Sequence, residues 1–284
     1  MPINIEKLSY SYFSGGSHVR ALRGVSLDMG ARDYLGIAGA HGSGKTTLAM
    51  LMCGLLKPES GRVLINGEDI NGPRYDSSSL RRRIAMLFTR PEQQLFESTV
   101  ERDVAFALGS MGLGKEEKRE KVRAAIERVG LDYDSVRSAS PRTLPLYRQR
   151  LVALAGLLVF SPDILVLDEP LSDLDAVQRR SFLDLIDSLN ASGTSIVLLT
   201  TDTKALAEHA RGVAVLKDGQ LVRTDWAGEA FVDYFELLNN SLDVPDVRRA
   251  VQLLRQRGVD MPENVVRYEE FIDRLKIIMW RKKI

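Results

Sequence analysis

The sequence Gly39-Ala-His-Gly-Ser-Gly-Lys-Thr46 follows an apolar run at residues 34–38 and precedes leucines with helical spacing. The small residues of such a loop let successive backbone N–H groups turn inward on phosphate oxygens, at the positive end of the helix that begins near Gly44. Lys45 adds a full positive charge, and the hydroxyl of Thr46 suits Mg²⁺. The stretch therefore predicts a phosphate-binding loop (P-loop) that holds a nucleotide and its magnesium ion.

The surroundings of the loop favour this interpretation over a chance glycine-rich turn. The preceding run has the character of the buried strand that must deliver a P-loop. An apolar helix is expected after the loop, marked by Leu48, Leu51, Met52 and Leu55. The predicted nucleotide-binding residues of the loop and helix are Gly39, Gly42, Ser43, Gly44, Lys45, Thr46 and Thr47.

A second signal is the run Ile-Leu-Val-Leu-Asp-Glu-Pro at residues 164–170, an apolar strand that ends in two carboxylates. Asp168, at the carboxyl end of this strand, is expected to hold Mg²⁺ through water. Glu169 is expected to accept a proton from an attacking water. Taken alone, the run could be a strand end with solvated acids, but after a P-loop it favours a site with Lys45, Asp168 and Glu169 as catalytic residues.

Composition restricts the possible partners and compartments. The chain has 284 residues with 39 basic and 38 acidic side chains, so no overall charge favours nucleic acid, and no nucleic-acid partner is expected. The single cysteine, Cys53, lies on the apolar helix after the P-loop and is predicted to be a small buried thiol. No apolar stretch approaches the ~20 residues that a membrane-spanning helix needs, so we expect a soluble chain that is able to dock on a membrane protein.

The order of strands and helices predicts the α/β class. Short apolar runs at residues 164–167, 196–199 and 213–216 alternate with helical segments, which is typical of a mostly parallel sheet. Residues 3–12 and 25–29 alternate apolar with polar side chains, as half-buried antiparallel strands do. The predicted fold is a P-loop core with a mixed, mostly parallel sheet, an antiparallel β subdomain, a helical subdomain and a small C-terminal helical appendage.

The predicted domains follow from these patterns. Residues 1–225 are expected to form the nucleotide-binding domain, with the helical subdomain at about 90–160. Residues 226–284 are expected to form the helical appendage. Within it, Pro245 and Gly258 bracket apolar residues at helical spacing, the usual arrangement of a proline near a helix start and a glycine past its end.

These motifs resemble the ATP-binding subunits of ABC transporters, and the resemblance covers nearly all of residues 1–225. In it, residues 39–46 are similar to the Walker A motif, residues 164–169 to the Walker B motif with its catalytic glutamate, and residues 172–175 to the D-loop. Tyr12 resembles the aromatic residue that stacks on adenine. Further segments similar to the family are residues 54–61 and 216–219.

A narrower resemblance is to the ATPases of energy-coupling factor importers of prokaryotes. It is carried by residues 88–96, 99–106 and 243–260. The resemblance implies ATP and Mg²⁺ as ligands and a homodimer or heterodimer with another ABC ATPase subunit. It also implies docking on integral membrane transport subunits through the region Thr89–Phe106, and a peripheral position on the cytoplasmic face of the cell membrane. In that family, substrate recognition belongs to a separate membrane component.

Three family positions differ from the residues that hydrolysis would need. Thr89 stands at the position of the Q-loop glutamine, and Gln93 and Gln94 would need a shift of loop register to replace it. Thr201 stands at the position of the switch histidine. The signature motif is replaced from Leu144 onward by Pro145, Leu146, Tyr147 and Arg148.

We therefore expect MgATP binding with slow or absent hydrolysis by this chain alone, because one lost preorganised donor costs on the order of 10²–10³ in rate. The leading interpretation is an energy-coupling ATP-binding subunit of an importer. One alternative is a pseudo-ATPase that regulates or scaffolds assembly. A soluble ABC protein of DNA repair or translation is a third, and it is disfavoured because no long coiled-coil insertion, duplicated cassette or basic linker is present.

Overall fold

The computed structural model describes residues 1–73, 75–226, 231 and 242–281. The described chain forms two compact units. The first consists of Arg74–Ile196 together with Met1, and the second of Pro2–Pro73 and Val197–Ile284. Parts of the predicted appendage, residues 227–230, 232–241 and 282–284, lie outside the described residues.

The strands and helices are numbered here in chain order. The strands are β1 (Ile3–Ser14), β2 (Ser17–Met29), β3 (Tyr34–Ala38), β4 (Ser60–Ile65), β5 (Glu68–Asp69), β6 (Ile84–Leu87), β7 (Ile164–Asp168), β8 (Ser195–Thr200), β9 (Gly212–Lys217) and β10 (Gln220–Trp226). The α-helices are α1 (Lys45–Met52), α2 (Ser77–Arg83), α3 (Val100–Phe106), α4 (Lys115–Arg128), α5 (Tyr133–Val136), α6 (Leu146–Leu158), α7 (Ala176–Ala191), α8 (Thr203–His209), α9 (Asp246–Gln256) and α10 (Tyr268–Arg281). Short 3₁₀ helices cover Pro91–Gln94, Ala107–Met111 and Pro141–Thr143.

The second unit contains the predicted antiparallel β subdomain, with strand order β2-β1-β4-β5. Alternating apolar residues of β1 face the core, and Ile3 pairs with Met29 of β2 and Ile65 of β4. The turn between β4 and β5 has positive φ at Asn66 and Gly67, 53° and 83°, as the two-residue turns of hairpins require. Local sequence signals therefore account for this subdomain.

The same unit carries part of the predicted mixed sheet. β3 pairs in parallel with β9, and β9 pairs antiparallel with β10. Every residue of β3 is buried, as expected of a central strand covered on both faces. β3 leads directly into the loop before α1, so the predicted sequence of strand, P-loop and helix is confirmed.

Helix α1 is shorter than predicted. Gly54 has a φ of +67°, and its N–H donates to Leu51 O, while the N–H of Leu55 donates to Met50 O at 2.8 Å. These two bonds form a Schellman motif, which ends the helix. The prediction that Leu55 belongs to this helix was wrong, since Leu55 lies beyond the helix end and is 48% exposed.

The first unit contains a parallel strand pair and most of the helices. β6 and β7 are parallel, with Ile84 opposite Ile164 and Leu87 opposite Leu167. Helices α3 to α6 lie between these strands in sequence. The longest of them, α4, buries the apolar residues Val122, Ala125 and Ile126, which recur at helical spacing. The α/β class and its helical subdomain are confirmed.

The described part of the appendage belongs to the second unit and packs around its own small core. This core consists of Val247, Val251, Met261 and Val265, with Leu254, Phe271, Leu275 and Ile278 against it. Pro245 caps the start of α9 and Gly258 follows its end, as predicted. The hydroxyl of Thr203 in α8 donates to Asp243 O at 2.6 Å, and the N–H of Tyr268 donates to Glu208 of α8 at 2.8 Å.

Two further sequence expectations concern burial and membrane crossing. Cys53 is buried, and its desolvation raises the pKa of the thiol to about 12, so the thiol is a core group and not a nucleophile. Within the described ranges, no helix combines the length and apolar character needed to cross a membrane.

Candidate functional site

The predicted P-loop wraps the start of α1 in the second unit. The ammonium of Lys45 is buried and donates to Gly39 O at 2.6 Å and to Ala40 O at 3.2 Å, so it lies inside the curve of its own loop. The hydrogen bond from Leu48 N–H to Gly44 O is the first of the helix. The amides before Leu48 therefore have no acceptor within the helix, and they lie at its positive end.

Close main-chain packing explains the glycines of the loop. A Cβ on Gly44, whose φ is +105°, would lie 2.6 Å from the carbonyl oxygen of Ala21 in β2. A Cβ on Gly39 would overlap the carbonyl oxygen of Leu216 in β9. Gly42 also has a positive φ, +79°, and is exposed. Gly39 and Gly44 are thus required because the backbones of β9 and β2 approach them directly, whereas Gly42 is favoured by its positive φ alone.

A chain of main-chain hydrogen bonds fixes the loop to these strands. The N–H of Gly219, in the turn after β9, donates to Ser43 O at 3.0 Å, and the N–H of Arg23 in β2 donates to Gly219 O at 2.8 Å. Residues 216–219 were noted from sequence only as similar to a family segment. The structure shows that this segment donates a main-chain hydrogen bond to the P-loop.

The hydroxyl groups of the loop fit a bound polyphosphate and its metal. The hydroxyl oxygen of Ser43 is buried and has no hydrogen-bond partner in the described chain, a costly arrangement unless a ligand satisfies it. Thr46 is exposed at the first turn of α1. The buried Thr47 instead turns to the protein, and its hydroxyl lies 3.3 Å from Tyr12 Oη.

The aromatic ring of Tyr12 is held in place beside the start of α1. Its hydroxyl contacts Thr47, and its ring meets Tyr10 edge to face at 5.0 Å between centroids. Tyr12 remains 40% exposed, so part of the ring is available for stacking. Sequence analysis missed the neighbouring stack of Phe13 on His18, although an aromatic residue beside a glycine turn was a visible signal.

The two predicted carboxylates lie in the first unit and differ in environment. Asp168, the last residue of β7, is 1% exposed, and one of its oxygens accepts a hydrogen bond from the hydroxyl of Thr89 at 3.1 Å. Glu169 is partly buried and has a positive φ of 47°, which is uncommon for a residue with a side chain. Its carbonyl accepts hydrogen bonds from Ser172 N–H at 3.2 Å and from the Ser172 hydroxyl at 2.8 Å.

The side chain of Gln94 is held at the end of β6. Its amide oxygen accepts from Phe88 N–H at 3.4 Å, and its amide nitrogen donates to Met86 O at 3.5 Å, so the side chain is engaged with the end of β6. Gln93 is exposed. The residue that contacts Asp168 from this segment is therefore Thr89 itself.

The altered signature segment lies at the start of α6. Pro145 is the N-cap residue, where its missing N–H costs the helix nothing because that position needs no helical donor. Pro145, Leu146 and Arg148 are exposed, and Leu146 is 66% exposed. Tyr147 is half-buried, and this burial raises the pKa of its phenol.

Arg150, one helical turn further, was missed by sequence analysis. It is 7% exposed, and its guanidinium donates to Pro170 O at 2.8 Å and to Ser172 O at 2.9 Å. Burial lowers the pKa of Arg150, opposed by the carboxylates of Glu92 and Asp173. A charged side chain within the apolar run of α6 was the available signal. Arg150 connects the helix after the signature position to the segment that follows Glu169.

Thr201 lies in the second unit, in the turn between β8 and α8. The next residue, Asp202, is the N-cap of α8 and accepts a hydrogen bond from Ala205 N–H at 3.0 Å. Thr201 is partly buried. The side chain at this position therefore offers a hydroxyl and no imidazole.

Comparisons with known proteins agree with this geometry. Residues 22–172 match the ABC transporter family, a stretch of more than half the chain. The chain is 38% identical over 286 residues to the energy-coupling factor transporter ATP-binding protein EcfA2 of Symbiobacterium thermophilum, covering 100% of this chain and 98% of that relative. It is 34% identical to the protein of the same name from Clostridioides difficile, over 95% of each chain.

Solved structures show the same fold. The cbiO1 protein of Clostridium perfringens, part of the ABC transporter complex cbiONQ, has a TM-score of 0.74 at 30% identity, covering 89% of this chain and 98% of that one. The dimeric ATP-binding cassette MJ0796, bound to ADP and Pi in a post-hydrolysis state, has a TM-score of 0.71 at 25% identity. That alignment covers 79% of this chain and 98% of the cassette.

The contacts of Arg150 predict a specific effect on stability. Arg150→Met keeps much of the side-chain volume but leaves the buried carbonyl of Pro170 and the partly buried carbonyl of Ser172 without their donor, so the free energy of unfolding should fall by about 1–3 kcal/mol. Arg148→Met, at an exposed position of the same helix, should change it by less than about 0.5 kcal/mol. Urea denaturation measures both values, and equal effects of the two substitutions would contradict the assigned role.

Proposed function

The chain belongs to the ABC transporter family and, within it, to the ATP-binding proteins of energy-coupling factor transporters, and we propose that it binds MgATP to drive import across a prokaryotic membrane. Proteins of this family bind ATP, generally with Mg²⁺. The observation that carries the proposal for this chain is the P-loop itself. Its amides, the buried hydroxyl of Ser43 and the ammonium of Lys45 lie around one concave turn of backbone.

Each residue of the proposed nucleotide site has a distinct part. Lys45 and the loop amides would bind the β- and γ-phosphates, and the partly exposed ring of Tyr12 would stack on adenine. The hydroxyl of Thr46 would hold Mg²⁺ directly, and Asp168 would hold it through water. When bound, Mg²⁺ neutralises charge on the phosphates. The remaining predicted phosphate-binding and neighbouring residues are Gly39, Gly42, Ser43, Gly44 and Thr47.

Glu169 is proposed as the base that accepts a proton from water. Three features weaken hydrolysis by this chain alone. A hydroxyl stands at Thr89 where the family's glutamine would be, another stands at Thr201 in place of the histidine, and the exposed signature segment begins at Pro145. Binding without productive turnover, as in a regulatory or scaffolding pseudo-ATPase, is the second candidate function that these same positions support.

The proposed membrane contact lies in the region Thr89–Phe106. Phe96 and Phe106 pack edge to face at 4.6 Å between centroids, yet they are 53% and 61% exposed. The loop that carries Phe96 is attached to α3, whose last residue is Phe106, because the N–H groups of Phe96 and Glu97 both donate to Asp103 of that helix, at 2.9 and 2.8 Å. A rigid pair of exposed aromatic rings is typical of a protein interface. It supports peripheral docking on integral subunits at the cytoplasmic face of the membrane.

The proposed organisation of the chain is an ATP-binding domain at residues 1–225 and an appendage at residues 226–284 that helps two ATPase subunits associate. The appendage is supported as a separate element by its own apolar core. The second subunit would be a copy of this chain or a different ABC ATPase. Dimeric cassettes among the related structures support pairing of this kind.

Replacing Lys45 tests nucleotide binding. Lys45→Ala removes the buried charge in the loop and should weaken MgATP binding about 100-fold, the loss expected for a charge-assisted hydrogen bond to phosphate. Lys121→Ala, at an exposed position of α4, should bind like the original chain. Isothermal titration calorimetry measures both. The proposal would be contradicted if the unaltered chain gave no heat of MgATP binding, or if Lys45→Ala bound MgATP as the unaltered chain does.

Replacing Glu169 separates a working ATPase from a scaffold. Glu169→Gln keeps the shape but cannot accept a proton, so the contribution of this site to ATP turnover in the assembled transporter should fall by about 10² or more, with ATP trapped. The control is Glu117→Gln on the exposed surface of α4. Unchanged transport and turnover would favour the scaffold. A purified homodimer with ordinary transporter rates would contradict the proposed weakening of hydrolysis.

Replacing the aromatic pair tests membrane docking. The double substitution Phe96→Ala and Phe106→Ala removes exposed rings that the fold does not bury, so MgATP affinity should be retained while co-purification with membrane subunits falls at least about fivefold. Val222→Ala, an exposed apolar position on β10, serves as the control. Undiminished co-purification of the double variant would place the contact elsewhere.

A further inference from the structure

The hydrogen bond between Thr89 and Asp168 joins the end of β6 to the end of β7. Asp168 is 1% exposed, and the apolar residues before it in β7 are fully buried. A carboxylate in such surroundings needs hydrogen-bond donors to keep one orientation. The Thr89 hydroxyl supplies one at 3.1 Å. Thr89 itself is exposed, so core packing does not force its side chain into this contact.

The backbone around Thr89 holds the hydroxyl in this position. The parallel register of β6 and β7 places Leu87 opposite Leu167, so the chain leaves β6 beside the strand end that carries Asp168. Gln94 then closes the turn by bonding to Met86 O and Phe88 N–H. Pro91, which begins the 3₁₀ helix, keeps Arg90 out of the helical region, with φ −118° and ψ 76°.

We propose that Thr89 is a positioning residue for the magnesium site, with its hydroxyl fixing the plane of the Asp168 carboxylate that meets metal-bound water. Threonine suits this role because its β-branched side chain has few rotamers and its hydroxyl is close to the backbone. A donor that holds a metal-binding carboxylate affects metal affinity without touching the metal. The inference rests on the proposed function and deepens it, because it assigns to the hydroxyl at the Q-loop position the orientation of the Asp168 carboxylate.

The test compares nucleotide affinity with and without magnesium. Thr89→Val removes the hydroxyl and keeps the side-chain shape. We expect the gain in ATP affinity that Mg²⁺ provides to fall about tenfold, a typical loss for an outer partner of a metal ligand. Affinity for ATP in excess EDTA should stay within about twofold, and Thr89→Ser should restore the magnesium effect. Titration calorimetry at a series of Mg²⁺ concentrations gives all of these values.

One control variant and one further substitution of Thr89 exclude other causes of the loss. Thr224→Val makes the same chemical change at an exposed position of β10 and should leave both affinities unchanged. Thr89→Ala removes the same hydroxyl without introducing a branched apolar side chain. It should show the same Mg²⁺-specific loss, which would exclude a disturbance of the turn by valine as the cause. Thermal unfolding of each variant without ligand confirms that the fold is retained.

Three outcomes would overturn the inference. An unchanged magnesium effect in Thr89→Val and Thr89→Ala would mean that the hydroxyl does not position Asp168. Equal losses with Mg²⁺ and with EDTA would show a general effect on the nucleotide or the fold. If the unaltered chain bound ATP equally well with and without Mg²⁺, the magnesium assignment in the proposed function would itself fail. Only this last outcome would contradict the proposed function as well as the role of Thr89.

Discussion

The P-loop keeps its shape because three main-chain segments meet with no side chains between them. The carbonyl of Ala21 in β2 and that of Leu216 in β9 approach the loop at Gly44 and Gly39, closer than any Cβ would allow. Hydrogen bonds through Gly219 complete the contact. The amides at the start of α1 are thereby fixed before any ligand arrives, so binding a phosphate does not have to order them.

The two adjacent carboxylates at the end of β7 lie in different environments. Asp168 completes β7 and is buried, which suits a group whose orientation must not change. Glu169 leaves the strand through a left-handed conformation that costs about 1–2 kcal/mol, and the bonds from Ser172 help to hold it there. Arg150 binds the carbonyl of Ser172 in turn. The helix after the altered signature is thus still mechanically connected to the proposed base.

Local patterns predicted most of the strands, though not β6 or β10, together with the P-loop and the first helix of the appendage, because these depend on residues close in sequence. Alternating side chains indicated β1, and Pro245 and Gly258 marked the ends of α9. The end of α1 was predicted wrongly at Leu55, although Gly54 carried the signal for a Schellman motif. The contact of Thr89 with Asp168 could not be predicted, since it depends on how β6 and β7 align across 79 positions of sequence.

The exposed aromatic pair Phe96 and Phe106 also has a consequence for the subunit before assembly. Exposed apolar rings attract chaperones, proteases and other copies of the chain as readily as the proposed partner. If a membrane component covers these rings as proposed, a subunit synthesised in excess of it would be degraded or would aggregate. The cellular amount of this chain would then be set by the supply of its partner and not by its own rate of synthesis.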